Sequence, residues 1–74
     1  MKIGVVREIK TDEYRVGLTP AAADAFQAEG HEVCIEKNAG AGAGYTDAEY
    51  AEAGVILMDT AGEVWKACDM MIKV

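Results

Sequence analysis

The chain has 74 residues, 51% of them hydrophobic and 27% charged, with a formal net charge of −6. A unit of this size buries only about 60% of the surface its unfolded form exposes, so it holds one marginal core and no second domain. The composition excludes a disordered chain, the acidic balance without any Lys/Arg cluster excludes the nucleic-acid backbone and anionic membranes as partners, and apolar runs as short as Val55–Met58 exclude a membrane span.

Lys2–Val6 reads as a short apolar strand that runs into charge at Arg7 and Glu8, too soon for a secretion signal. Arg7–Tyr14 is a polar loop. Thr19-Pro20 predicts a helix start, since a threonine hydroxyl caps orphan amides and proline is preorganised at the first helical position. That helix is predicted to reach about Glu29, with Ala22, Ala25 and Phe26 toward the core, Asp24, Gln27 and Glu29 outward, and Gly30 as its left-handed terminator.

His31–Glu36 is a second strand whose continuous apolar centre, Val33-Cys34-Ile35, suits a strand covered on both faces. A glycine-rich loop, Asn38–Gly44, precedes a short helix that is opened by a Thr46/Glu49 capping box and ends at Gly54. Val55–Met58 is a third strand. Thr60 and Glu63 repeat the capping box for a helix through Trp65, and Met70–Val74 is a fourth strand. The alternation predicts an α/β fold: a parallel sheet of about four strands with three helices, an incomplete Rossmann-like layer with right-handed crossovers. Strand order is not readable from the pattern.

In open parallel sheets ligands bind outside the carboxyl ends of the strands. Here those ends lead into the segment from Arg7 to Leu18, which carries Arg7, Lys10 and Arg15, into Lys37–Tyr45, and into Asp59-Thr60. The loop Asn38-Ala-Gly-Ala-Gly-Ala-Gly44 is not a dinucleotide fingerprint. Tyr45 stands where G-x-G-x-x-G needs its last glycine, and the loop follows the second strand rather than the first. Arg15 admits three readings. It is a solvated surface charge, an ion-pair partner of Glu8, Asp12 or Glu13, or a planar, paired donor to a small carboxylate.

Lys73 reads as a strand-end charge whose stem packs while its head reaches water. Trp65, Met58, Met70 and Met71 read as core filling, and Cys34 and Cys68 as reduced, buried thiols. The single histidine, His31, finds no metal-ligand neighbours and no nucleophile to activate, so neither a metal site nor a catalytic triad is expected.

Lys2-Ile-Gly-Val-Val-Arg-Glu-Ile-Lys10 followed by Glu13-Tyr-Arg-Val-Gly-Leu-Thr-Pro20 resembles the start of the alanine dehydrogenases. Gly30-His-Glu-Val33, the Ala39–Tyr45 loop with Thr46-Asp47, and Val64-Trp65 ahead of Ile72-Lys-Val74 extend the resemblance along the whole chain. The run Arg15-Val-Gly-Leu-Thr-Pro20 is shared with the nucleotide-binding subunit of proton-pumping transhydrogenase. The family commonly has proline in place of Val6 and glycine in place of Asn38.

The resemblance implies residues 1–74 as the N-terminal part of the substrate domain of an NAD-dependent enzyme. That enzyme converts L-alanine to pyruvate and ammonium, and it is cytoplasmic and a homo-oligomer, hexameric in the family. Arg15 would bind the substrate carboxylate. The family's substrate lysine would fall directly after Val74, its catalytic histidine and aspartate and its nucleotide-binding domain further on. The chain alone is therefore expected to hold no catalytic residue, to bind no NAD, to be inactive, and to expose a strand edge at Met70–Val74 that promotes unfolding or self-association. The alternatives are the corresponding piece of a transhydrogenase, or a free-standing small α/β binding module.

Overall fold

The computed structural model describes residues 1–7 and 16–72. The elements are β1 (Lys2–Val5), α1 (Pro20–Ala28), β2 (Glu32–Glu36), a 3-10 turn (Ala41–Ala43), α2 (Asp47–Glu52), β3 (Ile56–Met58), α3 (Ala61–Ala67) and β4 (Met70–Ile72). All four strands are parallel, in the order β3-β2-β1-β4. The chain steps outward from β1 to β2 to β3, then returns past both to pair β4 with the free side of β1.

Helix boundaries follow their local chemistry. The Thr19 hydroxyl accepts from the Ala22 N–H with Pro20 opening α1, and Gly30 leaves it at φ +94°. At α2 the capping box is complete: Thr46 Oγ1 accepts from the Glu49 N–H at 3.2 Å, and Glu49 Oε1 accepts from the Thr46 N–H at 3.3 Å. Gly54 then terminates the helix at φ +87°. The box expected at α3 is half formed. Thr60 caps the Glu63 N–H, but the Glu63 carboxylate reaches past the cap to the Asp59 N–H at 3.3 Å. Thr60 is more extended (φ −134°) than Thr46 (φ −87°), and at α3 the carboxylate meets the preceding amide instead.

Two differently built layers enclose the sheet. Odd-numbered residues Ile3, Val5, Val33 and Ile35 meet α1 and α2 in a cluster with Leu18, Ala23, Ala39, Tyr50 and Val55. Because strand side chains alternate, Gly4 and Cys34 face the other way, toward α3. Gly4 pairs with Cys34 on one side and with Met71 on the other. A methyl group at Gly4 would lie 2.7 Å from Val64 Cγ1, 2.7 Å from Met71 Sδ and 2.9 Å from Cys68 Cβ. Glycine at this position lets α3 settle onto the central strand.

Several inward assignments need correction. On α1 it is Ala23, fully buried, that enters the core; Ala22 and Phe26 are half-buried against it and Ala25 is exposed. Gln27 is half-buried rather than outward, its side-chain amide donating to the Ala53 carbonyl and tying α1 to α2. Trp65 is 53% exposed and Met70 40% exposed, so neither fills the core, and Met58 and Met71 are half-buried. The helical period fixes one apolar stripe, and Val64, fully buried, occupies the stripe of α3 and turns its neighbour Trp65 away. Both cysteines are free thiols, Cys34 buried and Cys68 half-buried.

Gly4→Ala should destabilise the protein by about 1–3 kcal/mol, the usual cost of overpacking a filled core. Val64 lies on α3 and Cys68 directly follows it, and α3 cannot retreat without losing the sheet. An unchanged urea midpoint would mean that α3 sits further from β1 than described here.

Candidate functional site

Strand order locates the site. The connection leaving β1 runs to β2 on one side of it, while β4 is paired on the other side of β1. The carboxyl ends of β1 and β4 therefore flank the point where the sheet reverses direction, the place where open α/β sheets leave a crevice for ligands. The residues that follow these two strands are 6–18 and 73–74. Arg15, the predicted carboxylate ligand, lies outside the described residues, as do Lys10 and Lys73. Arg7 is described: it is exposed, and its backbone N–H donates to Glu36 Oε1 at 2.8 Å, joining the end of β1 to the end of β2.

Directly after Arg15 the chain is held at three consecutive residues. Val16 packs half-buried against the core. Gly17 approaches the end of β4 so closely that a Cβ would lie 2.8 Å from the Ile72 carbonyl oxygen. Leu18 is buried, and its carbonyl accepts a 2.8 Å hydrogen bond from the Tyr50 hydroxyl. These anchors tie the segment 16–18 to the end of β4 and to α2.

Tyr50 was not singled out by the sequence reading. It is 1% exposed, the bulkiest fully buried side chain among the described residues, and its ring runs from α2 beneath the glycine-rich loop to the 16–18 segment. A Cβ at Gly40 would lie 2.6 Å from Tyr50 Cε2 and 2.8 Å from its hydroxyl oxygen. Tyr45 packs edge-on against it, ring centroids 6.4 Å apart. Tyr45 precedes the Thr46 cap and Tyr50 is the fourth helical residue, so the pair forms a hydrophobic staple. That spacing was the legible signal. Burial pushes the Tyr50 phenol up to about 12, with Tyr45, Glu49 and Asp47 adding to the rise.

The glycine-rich loop is spent on internal structure. Gly40 makes room for Tyr50, and the Gly40 carbonyl accepts from the Ala43 and Tyr45 N–H groups at 3.1 and 2.9 Å. Asn38 has φ +67°, the left-handed region that favours glycine and that asparagine tolerates. This accounts for asparagine at a position where the resemblance anticipates glycine. The Asn38 N–H donates to Asp47 Oδ1 at 2.9 Å. The cavity beside the loop is lined by Asn38, Ala41, Gly44, Tyr45, Thr46 and Asp47, so an anion there would face the Asp47 carboxylate. Lys37 pairs with Asp59 at 2.6 Å, and this partner raises its pKa. Among the described residues no three His, Cys, Asp or Glu side chains gather as a metal site, and no helix is long and apolar enough to cross a membrane.

Four parallel strands with helices on both faces, the chain reversing beside β1, define an α/β domain of the Rossmann-like class. The chain belongs to the alanine dehydrogenase/PNT N-terminal domain family, whose model matches residues 4–74. It is 51% identical over all 74 residues to an alanine dehydrogenase of Methanococcus maripaludis and 47% identical to one of Bilophila wadsworthia, covering 20% and 19% of those proteins. Among solved structures it matches an L-alanine dehydrogenase at TM-score 0.94 and 42% identity, and a transhydrogenase from Sinorhizobium meliloti at 0.90 and 27%. Each match covers 99% of this chain and 20% of the solved one. The chain thus spans about a fifth of the length of these relatives.

Tyr50→Phe should cost about 1–3 kcal/mol, because it leaves the buried Leu18 carbonyl without a donor. The pH dependence has a defined sign. A phenol whose folded-state pKa is raised keeps its proton longer folded than unfolded, so stability falls as pH climbs from the ordinary value of 10.0 toward about 12. Tyr50→Phe should flatten that part of the profile. Melting curves of both proteins across this range check it, and parallel slopes would place the phenol in solvent.

Proposed function

We propose that this chain supplies the carboxylate-binding arginine of an NAD-dependent alanine dehydrogenase, the enzyme that converts L-alanine, NAD and water to pyruvate, ammonium and NADH. The reading rests on one observation above the others. The segment Val16–Leu18 is anchored beside the crevice between β1 and β4, directly after Arg15. Identity of 51% and 42% to alanine dehydrogenases, against 27% to the transhydrogenase, supports this activity over nucleotide exchange.

In this role Arg15 neutralises and orients the substrate carboxylate. A guanidinium donates two parallel N–H groups to the two oxygens of one carboxylate and so fixes a plane as well as a distance. Holding the substrate's α-carbon in a single orientation converts an encounter into a positioned reaction. In this reading NAD is held elsewhere in the complete enzyme; the packing of Gly40 against Tyr50 and the turn of Asp47 onto the Asn38 N–H support an internal, structural use of the glycine-rich loop. The chain, in this reading, contributes to substrate binding. The reading carries with it a cytoplasmic, homo-oligomeric enzyme.

Arg15→Lys, made in the complete protein that bears this sequence, should raise the Michaelis constant for pyruvate. Lysine keeps the charge but loses the planar pair. The loss of a charge-assisted contact costs on the order of 1.5–3 kcal/mol, roughly tenfold to two-hundredfold in affinity. Steady-state kinetics of reductive amination measure it, and an unchanged constant would return Arg15 to the status of a surface charge.

A further inference from the structure

The ring of Tyr50 and its hydroxyl have separate roles. Both ends of α2 are fixed: the Thr46/Glu49 box sets its start, and beyond its end the Val55 N–H donates to the Tyr50 carbonyl at 3.0 Å. Gln27 adds a tie from α1 to the Ala53 carbonyl. Within this frame the ring fills the space left bare by Gly40 and meets the edge of Tyr45, contacts that a phenyl ring would make as well. The hydroxyl reaches beyond them, to the Leu18 carbonyl at 2.8 Å. Both residues are buried, and a buried donor and acceptor that lose each other are left unsatisfied.

We propose that Tyr50 is a positioning residue for the substrate carboxylate: through Leu18, its hydroxyl holds the segment that follows Arg15. This inference rests on the assignment of Arg15 as the carboxylate ligand. Leu18 is hydrogen-bonded to Tyr50, Gly17 lies against the Ile72 carbonyl and Val16 packs on the core, so the three residues after Arg15 are held by α2, by β4 and by the cluster above the sheet. A paired guanidinium–carboxylate contact demands a plane as well as a distance, and hydrogen bonds weaken steeply as their angles close. Slack in the backbone next to an arginine therefore costs more than the same slack next to a point charge. Orientation of the carboxylate is common to the bound substrate and the transition state, so the effect falls on KM rather than on kcat.

Steady-state kinetics of reductive amination by the complete protein bearing this sequence test it, with Tyr50→Phe, Arg15→Lys, the double variant and Val64→Ala compared. Tyr50→Phe should raise KM for pyruvate by roughly twofold to tenfold, the range that one neutral hydrogen bond commands, with KM for NADH and kcat unchanged. The double variant should show no further rise over Arg15→Lys, because residues that act through one another are not additive. Val64 is fully buried on the opposite face of the sheet, on α3, so Val64→Ala lowers stability without touching this segment and should leave KM for pyruvate as it is. Thermal melts give the folded fraction of each variant, which scales kcat and not KM. Three results would overturn the proposal: an unaltered KM for pyruvate in Tyr50→Phe while Arg15→Lys raises it, an equal rise in Val64→Ala, or a rise that adds in full to that of Arg15→Lys. An unchanged KM in Arg15→Lys would instead remove the assignment of Arg15, and this proposal with it.

Discussion

Central to the architecture is β1, a four-residue strand paired in parallel on both edges and covered on both faces. Parallel neighbours cannot be joined by a tight turn, so each must be reached by a crossover through a helix. Two crossovers carry the chain away from β1 over one face, and the third brings it back over the other. The right-handed rule then places α1 and α2 together and α3 opposite. The crevice is thus a consequence of returning to β1, and Gly4 is what makes the return close enough to pack.

Features governed by a few neighbouring residues were legible in the sequence. Thr19-Pro20, the Thr46/Glu49 box, and the terminators Gly30 and Gly54 each act through hydrogen bonds or dihedral limits within one helical turn, and each appears where it was expected. Strand order was illegible because it depends on which edge of β1 receives β4, a choice made by contacts such as Met71 with Gly4 that are remote in sequence. Ala25 and Trp65 were placed wrongly for a related reason. Periodicity gives an apolar stripe but not its centre, and small or aromatic residues at the margin take whichever side the neighbouring helix leaves open. Arg15 was distinguishable from an ordinary surface charge by resemblance, not by any local pattern.

Tyr50 shows how a local device acquires a long-range role. Its spacing from Tyr45 and Thr46 is that of a hydrophobic staple, which sets the entry angle of α2. A phenylalanine would staple equally well. The hydroxyl adds a bond to a backbone carbonyl 32 residues away and so couples the start of α2 to the loop beside the crevice. Gly40 accommodates the ring and Gly17 accommodates the loop. Both glycines are explained by the packing of the protein against itself, without a phosphate ligand.

A chain of net charge −6 is an unfavourable setting for an anionic substrate, and the arrangement of its carboxylates bears on how one could be received. At the carboxyl edge of the sheet Glu36 accepts from the Arg7 N–H, Asp47 from the Asn38 N–H, Glu63 from the Asp59 N–H, and Asp59 pairs with Lys37. Each of these carboxylates is turned onto a donor of the protein's own. Their exposed pairings add little stability, but they fix where the negative charge points. In water a unit charge at 4 Å is worth only about 1 kcal/mol, and roughly fourfold more near a protein surface. In the proposed role Arg15 would act at that range, and more distant exposed carboxylates would be screened.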